Sequence, residues 1–559
     1  VKWFGAFALL CLTAGAAIAQ SNRITLERID SGRWRATYQL DQPAARLAFS
    51  RPAGFYRERV WRVITPGYRW QRDGRTQLLS ADSGMTPQRV VTVEFPEFTD
   101  HLAQEYQFFQ PFGDGSVAVY SGHLRATSLA PLGDSTLVHT IRVDPPAGMH
   151  AVVRGKLTRG ATTHHDPLGE TTYLYVGKTR PIDSRDVIAV VDPRMPRWLV
   201  TQFTREIPRL FAAYREGFGQ ALPTKPTLLY SIGDTVAPGL SSGGGTLPGN
   251  ITMTLTGADW SRESPEAREQ AYYLMAHEVA HLWNGQLARN EDQPAGSWMH
   301  EGSADAVAII MMHRLGIIDR SGFLRRVERA VNRCAVGSAA GSLVTALRRG
   351  AGADAYNCGF LVALWSGSLV APTDTSDGVF TLWRELLRRA GSANGSYDQA
   401  AYFEALRGLG APETAVAGVR QFVSTQDTFA LLRSGLAAAG FSVDVDTGPA
   451  PAGYDADLAR MAVVHLMVQA CQRVDLSWGD VATTGAVPGC DPFREAHRFS
   501  AVEGHALSTD GASVYDVVHA ACSTGGVVSL EGGDGTAVAK IPCQKPMGRR
   551  PMRYRVTGK

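Results

Sequence analysis

His277-Glu278-Val279-Ala280-His281 sets two imidazoles four residues apart, with a carboxylate beside the first. On an α-helix, residues i and i+4 stack on one face, so both rings point the same way and can share one metal ion. Glu278 projects from the neighbouring edge, within reach of a water at that metal. Zinc held by two histidines needs a third protein ligand and an open position. Downstream, Trp298-Met299-His300-Glu301-Gly302-Ser303-Ala304-Asp305 opens a second apolar stretch, Ala306 to Leu315, closed by Gly316. We take Glu301 as the third ligand. Asp305 falls one turn later on the same face, where its carboxylate can hold a ligand histidine's free N–H; the alternative is an ordinary helix-surface carboxylate.

The elements that must position these groups are legible. Ser264 suits an N-cap, Pro265 the first helical position, Glu266 the positive helix end and Gly285 the stop. Ala271, Leu274, Met275, Leu282 and Trp283 recur at helical spacing, which predicts a core helix carrying polar cargo.

HExxH followed about twenty residues later by Trp-x-x-Glu-Gly resembles the gluzincin metallopeptidases. It is similar to the aminopeptidase N family and to the glycyl-aminopeptidase family with its PDZ-bearing relatives; Leu282-Trp283-Asn284 leans towards the second. The resemblance implies zinc on His277, His281 and Glu301, one ion per chain, with Glu278 as general base. The gap between His281 and the glutamate is one residue longer than the family spacing, which puts His300 at the strict count. The Trp-x-x-Glu-Gly frame and the spacing to Asp305 place Glu301 there instead. Tyr356-Asn357-Cys358-Gly359 resembles the families' Tyr-x-x-Gly helix start, whose tyrosine donates to the developing oxyanion; a tyrosine packed at a helix start is the other reading.

Upstream, Gly243-Gly244-Gly245 leads into Thr246-Leu247-Pro248-Gly249-Asn250-Ile251-Thr252-Met253-Thr254. A glycine turn entering an alternating strand is the shape that lines a cleft and pairs with an extended peptide. In the aminopeptidase N family this edge carries a glutamate for the substrate's amine. Here it does not, and the nearby acid is Asp234. Three readings therefore stand: an aminopeptidase-like zinc peptidase, an endopeptidase or other amide hydrolase on the same site, and a non-catalytic zinc-containing binding protein.

Residues 1–19 read as an export signal ending Ala17-Ile18-Ala19, and no later run is long enough to span a bilayer. We expect an exported chain, periplasmic or extracellular in a bacterium, with a peptide or protein substrate. Of 559 residues 19% are charged, and the formal net charge of +3, with no basic run, leaves nucleic-acid binding without a footprint. Seven cysteines less Cys11 in the signal leave six; proximity suggests Cys334–Cys358 and two bridges among Cys471, Cys490, Cys522 and Cys543.

The expected fold is α+β and multidomain: an antiparallel β-sandwich over 20–190, a thermolysin-like zinc catalytic domain of small sheet plus helices over 191–446, a linker at 447–453, and a disulfide-bearing module over 454–559 that is PDZ-like or another β form. Adjacent His164 and His165 are expected in an exposed loop.

Overall fold

The structure, a computed structural model, describes residues 21–558 except 50–55, 75, 101, 103–105, 131–132, 135–137, 167–169, 234, 237–238, 350, 393–394, 449–452, 472–475, 479–480 and 488. The expected signal, Asp234 and most of the expected linker lie outside the described residues.

Residues 21–177 build three β-sheets. Strand Arg33–Ala44 shows why: Trp34, Ala36, Tyr38 and Leu40 alternate inward with polar residues outward, the period of a half-buried strand. Ser21–Asp30 pairs antiparallel with it, but parallel with Val138–Asp144 on its other side. The expected wholly antiparallel sandwich is thus corrected to a mixed one. Alternation marks a strand's faces without marking its partner's direction, and this partner arrives more than a hundred residues later. The histidine pair is also corrected. His164 and His165 lie on strand Thr162–Asp166, not in a loop, facing opposite sides; His164 is buried, and burial pushes its pKa down to about 4.

A fourth sheet, five-stranded, carries the site. Its spatial order is Ile182–Asp183, Ile188–Val191, Thr227–Ile232, Asn250–Thr256 and Ser241–Leu247. The three central strands are parallel, with helix Arg197–Phe218 between the first two of them in sequence, and the glycine strand Ser241–Leu247 closes one edge antiparallel. Strand Ile188–Val191 straddles the expected boundary at 190 and belongs to this sheet. Phe112, Tyr120 and Tyr175 of the N-terminal region pack on Ile188, Val190 and Leu229, and Gln110 Nε2 donates to Ser231 Oγ at 2.6 Å. The site sheet is thereby fixed to the sandwich on one face.

On the other face lie the helices, in one large core with the sheet. Three matter most: the first site helix Pro265–His281, the second Ser297–Arg314 and the third Gly352–Val370. Among the described residues no helix is long and apolar enough to cross a membrane.

The last hundred residues hold helices Tyr454–Cys471 and Gly511–Thr524, a four-stranded sheet and two disulfides, Cys471–Cys490 and Cys522–Cys543; Cys334–Cys358 makes the third. In that sheet Ala501–Val502 and His505–Ala506 precede helix Gly511–Thr524, and Val527–Glu531 and Ala537–Pro542 follow it. Helix Tyr454–Cys471 was not anticipated. The final strand, Tyr554–Gly558, turns back to pair antiparallel with Phe441–Val445, and Tyr554 and Val556 enter the large core of sheet and helices.

Candidate metal centre

The first site helix begins as its sequence dictates. Ser264 Oγ accepts from the Ala267 N–H at 3.0 Å, and Pro265 occupies the first turn, where no N–H is missed. Ala267, Ala271, Met275, Ala276 and Val279 are fully buried, so the helix holds its two histidines rigidly at the core's edge. Its end differs from expectation: the α-helix stops at His281 and a π-turn, Leu282–Leu287, carries the chain through Gly285.

His277 Nε2 and His281 Nε2 lie 3.1 Å apart, and Glu301 Oε2 lies 3.3 Å from each. Tetrahedral zinc with bonds of about 2.0–2.1 Å sets its ligand atoms about 3.3–3.4 Å apart, so this donor set and spacing fit the ion. Among the described residues, these three form a cluster able to hold a metal, and His300 is not part of it. The His300 ring instead stacks on His281 with centroids 4.2 Å apart, its Nδ1 3.4 Å from Tyr397 Oη; burial, then the neighbouring His281 charge, pushes its pKa down to about 4.

The far side of each ring is held. His277 Nδ1 donates to Asp305 Oδ1 at 2.7 Å, and the same oxygen accepts the Tyr273 hydroxyl at 2.5 Å. His281 Nδ1 donates to Asn284 Oδ1 at 2.9 Å, while Asn284 Nδ2 donates to the His300 carbonyl at 2.8 Å. With Nδ1 committed to these acceptors, both Nε2 atoms face inward, the nitrogens a metal takes once the rings are neutral. Burial opposes charge on His277, yet hydrogen bonds to Asp305 and Glu301 outweigh it and raise its pKa to about 10. Burial likewise works against the Glu301 carboxylate, but the two histidines hold its pKa far below the ordinary value.

Glu278 Oε2 accepts from Thr246 Oγ at 2.9 Å, a hydroxyl equally close to the Glu278 carbonyl. Tyr356 stacks on His277 with centroids 5.6 Å apart and stays partly exposed; burial, then Glu301's charge, raises its phenol pKa, so it remains a donor at neutral pH. With Gly244, Gly245, His277, His281, Glu301 and His300 these two line one cleft of ≈ 390 Å³.

Two glycines explain how Glu301 and Tyr356 reach the same place. Gly302 follows Glu301, and Gly359 lies one turn after Tyr356. A Cβ on Gly302 would meet the Gly359 backbone, and one on Gly359 the Trp298 carbonyl. The second and third site helices thus touch backbone to backbone at the level of the site. Cys334–Cys358 ties the third helix to Arg320–Ala340 just beside this contact.

On the edge strand, Gly244 and Gly245 face the cleft, whereas Gly243 lies beyond its walls. A Cβ at Gly244 would sit 2.9 Å from Thr252 O and 3.5 Å from Glu278 Cγ, and one at Gly245 3.0 Å from the Tyr106 hydroxyl, whereas Gly243 is open. Gln286 locks this strand's turn to the π-turn, accepting from Gly249 N–H at 2.9 Å and donating to Leu247 O. Sequence reasoning missed Thr246, Tyr273 and Gln286 as parts of the site. Nothing in their spacing marks them, since each acts across the fold; Asn284 was legible only within Leu-Trp-Asn.

An α+β scaffold presenting a His–His–Glu donor set with a neighbouring glutamate is the class these elements define. The aminopeptidase N family protein from Idiomarina loihiensis shares this fold at TM-score 0.60 and 13% identity, over 96% of this chain and 98% of that one. A zinc metallopeptidase from Deinococcus radiodurans aligns over 72% of this chain and 93% of its own at 16% identity and TM-score 0.40. No protein-family model and no curated protein matches the sequence.

Proposed function

We propose that this chain is a zinc-dependent metallopeptidase, acting outside the cytoplasm, with His277, His281 and Glu301 as ligands of one zinc ion and Glu278 as general base. The observation that carries this is the mutual 3.1–3.3 Å spacing of three inward donors within one cleft that also holds Glu278. When bound, zinc supplies Lewis acidity and brings a water's pKa down to about 7. Glu278, aimed by Thr246, takes a proton from the attacking water and returns it to the leaving amine nitrogen. The Tyr356 hydroxyl donates to the oxyanion as it forms, a contribution typically worth about 3–4 kcal/mol of barrier. The substrate backbone lies along Gly243–Leu247, whose outer edge pairs with no strand among the described residues. The three disulfides suit an oxidising compartment.

The fold of the Idiomarina protein supports an aminopeptidase-like reading. One observation favours an endopeptidase: among the described residues the carboxylates lining the cleft are Glu278 and Glu301, both already engaged, and no other is there to meet a substrate amine. The test is a panel of peptides with free and acetylated N-termini, given to the zinc-loaded protein and to its Glu278→Gln variant. We expect chelator-sensitive hydrolysis, and a loss of about 10²–10⁴-fold in kcat with zinc retained in the variant. Cleavage of free-amine peptides alone selects the aminopeptidase; cleavage of acetylated ones selects the endopeptidase. Hydrolysis by neither, or an unimpaired variant, overturns the assignment.

A further inference from the structure

A hollow of about 610 Å³ is lined by residues that flank those of the cleft in sequence or bond to them. Asp305, which holds His277, lines it; so do Ser242, which precedes Gly243 on the edge strand, and Asn357, which follows Tyr356. The opposite wall is helix Arg320–Ala340, which turns Arg326, Arg329 and Arg333 inward at helical spacing.

These three guanidiniums are not equivalent. Arg326 is paired with Glu269 at 2.6 Å and lies 4.5 Å over the Tyr273 ring, and Arg333 is paired with Asp457 at 2.7 Å. Arg329 has no ion-pair partner among the described residues. Desolvation, then the charges of Arg326 and Arg333, press its pKa below the usual arginine value against the pull of Glu269 and Asp457, while the side chain stays exposed to solvent. The remaining carboxylate on the wall, Glu266, sits in the first turn of the first site helix, where the helix dipole already balances it. The hollow therefore presents a solvent-reached guanidinium that forms no ion pair among the described residues, at the end of the groove where the edge strand begins.

We propose that this hollow is a substrate subsite in which Arg329 binds a carboxylate, either an acidic side chain or the peptide's own C-terminal carboxylate. A peptide laid along the edge strand over Gly244 and Gly243 runs on past Ser242 into it, so the subsite gives a specificity that the glycine strand, without side chains, cannot supply. A guanidinium matches a carboxylate with two parallel hydrogen bonds in a fixed plane, which a lysine would not. This rests on the peptidase reading above.

The test measures binding apart from turnover. On the zinc-loaded Glu278→Gln protein, dissociation constants are compared for neutral peptides ending in a free carboxylate or an amide, and for amidated peptides carrying Glu or Gln at successive positions. The first pair reads the terminal carboxylate and the second the side chain. We expect one carboxylate member to bind roughly tenfold or more tighter than its amide partner. The preference shrinks in high salt and disappears in the Arg329→Gln background. Equal affinities within both pairs, or a preference that survives Arg329→Gln, overturn the subsite. Where Arg329→Gln does not fold, Arg329→Lys keeps the charge without the fork and should lose most of the preference; a preference left intact there also overturns the subsite. Failure of the peptidase reading is separate: it shows as absent hydrolysis of every peptide by the Glu278-bearing enzyme.

Discussion

Burial and hydrogen bonding pull His277 in opposite directions, and the result governs how the site takes up metal. Buried among apolar neighbours, the ring would give up its proton early; bonded to Asp305 and Glu301, it keeps it to about pH 10. That is above the unfolded value of about 6.5, so the stabilising contribution of protonated His277 in the metal-free chain is complete below about 6.5 and is lost as pH rises through about 10. Zinc needs the neutral ring, so binding must expel this proton. Between about pH 7 and about pH 9 the apparent zinc affinity should rise about tenfold per pH unit from this group alone. Competition with a chelator of known affinity measures it, after correction for the chelator's own protonation. A flat affinity across that interval would show that His277 is already neutral. The same residue scale shows why His300 and Glu301 compete on paper. Counting residues favours the histidine, but the helix rotates adjacent residues by about 100°: Glu301 brings an oxygen to 3.3 Å from both Nε2 atoms, while His300 stacks on the His281 ring.

At the scale of elements, the two short motifs beyond the histidines acquire a common cause. The glycine after Glu301 and the glycine one turn past Tyr356 are the two halves of one helix crossing, in which neither tolerates a side chain. Gly302→Ala should force the second and third site helices apart. We expect a destabilisation of about 1–3 kcal/mol, as for other overpacked cores. We also expect activity to fall further than stability explains, because Glu301 and Tyr356 separate. Thermal unfolding and kcat on the same sample distinguish this from a simple packing loss; a variant as active as the parent well below its transition would sink the argument. Helices of this kind were readable because their caps and apolar spacing are local: Ser264 and Pro265 place the first site helix to the residue. What was not readable depends on distant partners. The parallel pairing of Ser21–Asp30, the π-turn that brings Asn284 under His281, and Thr246 aiming Glu278 from another strand all follow from tertiary contacts with no periodic trace.

At the scale of the molecule, the terminal module is bound back onto the site helices by its last strand. Tyr554–Gly558 supplies the sole strand partner of Phe441–Val445 among the described residues, and buries Tyr554 and Val556 in the large core. Helix Arg320–Ala340 grips it from the side: Asn332 donates to the Tyr554 carbonyl and accepts from its N–H, both at 2.8 Å, and Glu328 accepts from Val556 N–H at 2.8 Å. This is the helix that carries Arg329 and, through Cys334–Cys358, braces the helix bearing Tyr356. A module joined only by a linker could lose its last residues at no expense to the catalytic unit. Here, removing residues 554–559 should strip two buried side chains and take from Asn332 and Glu328 the partners they have on that strand. The loss should be about 3 kcal/mol or more, enough to lower the midpoint of the catalytic unit's own thermal transition. Protease cutting should appear first near Phe441–Val445, the strand left unpaired. The comparison is made by calorimetry and limited proteolysis on full-length and shortened chains. An unchanged transition with unchanged cutting would mean that the returning strand contributes nothing to the fold around the site.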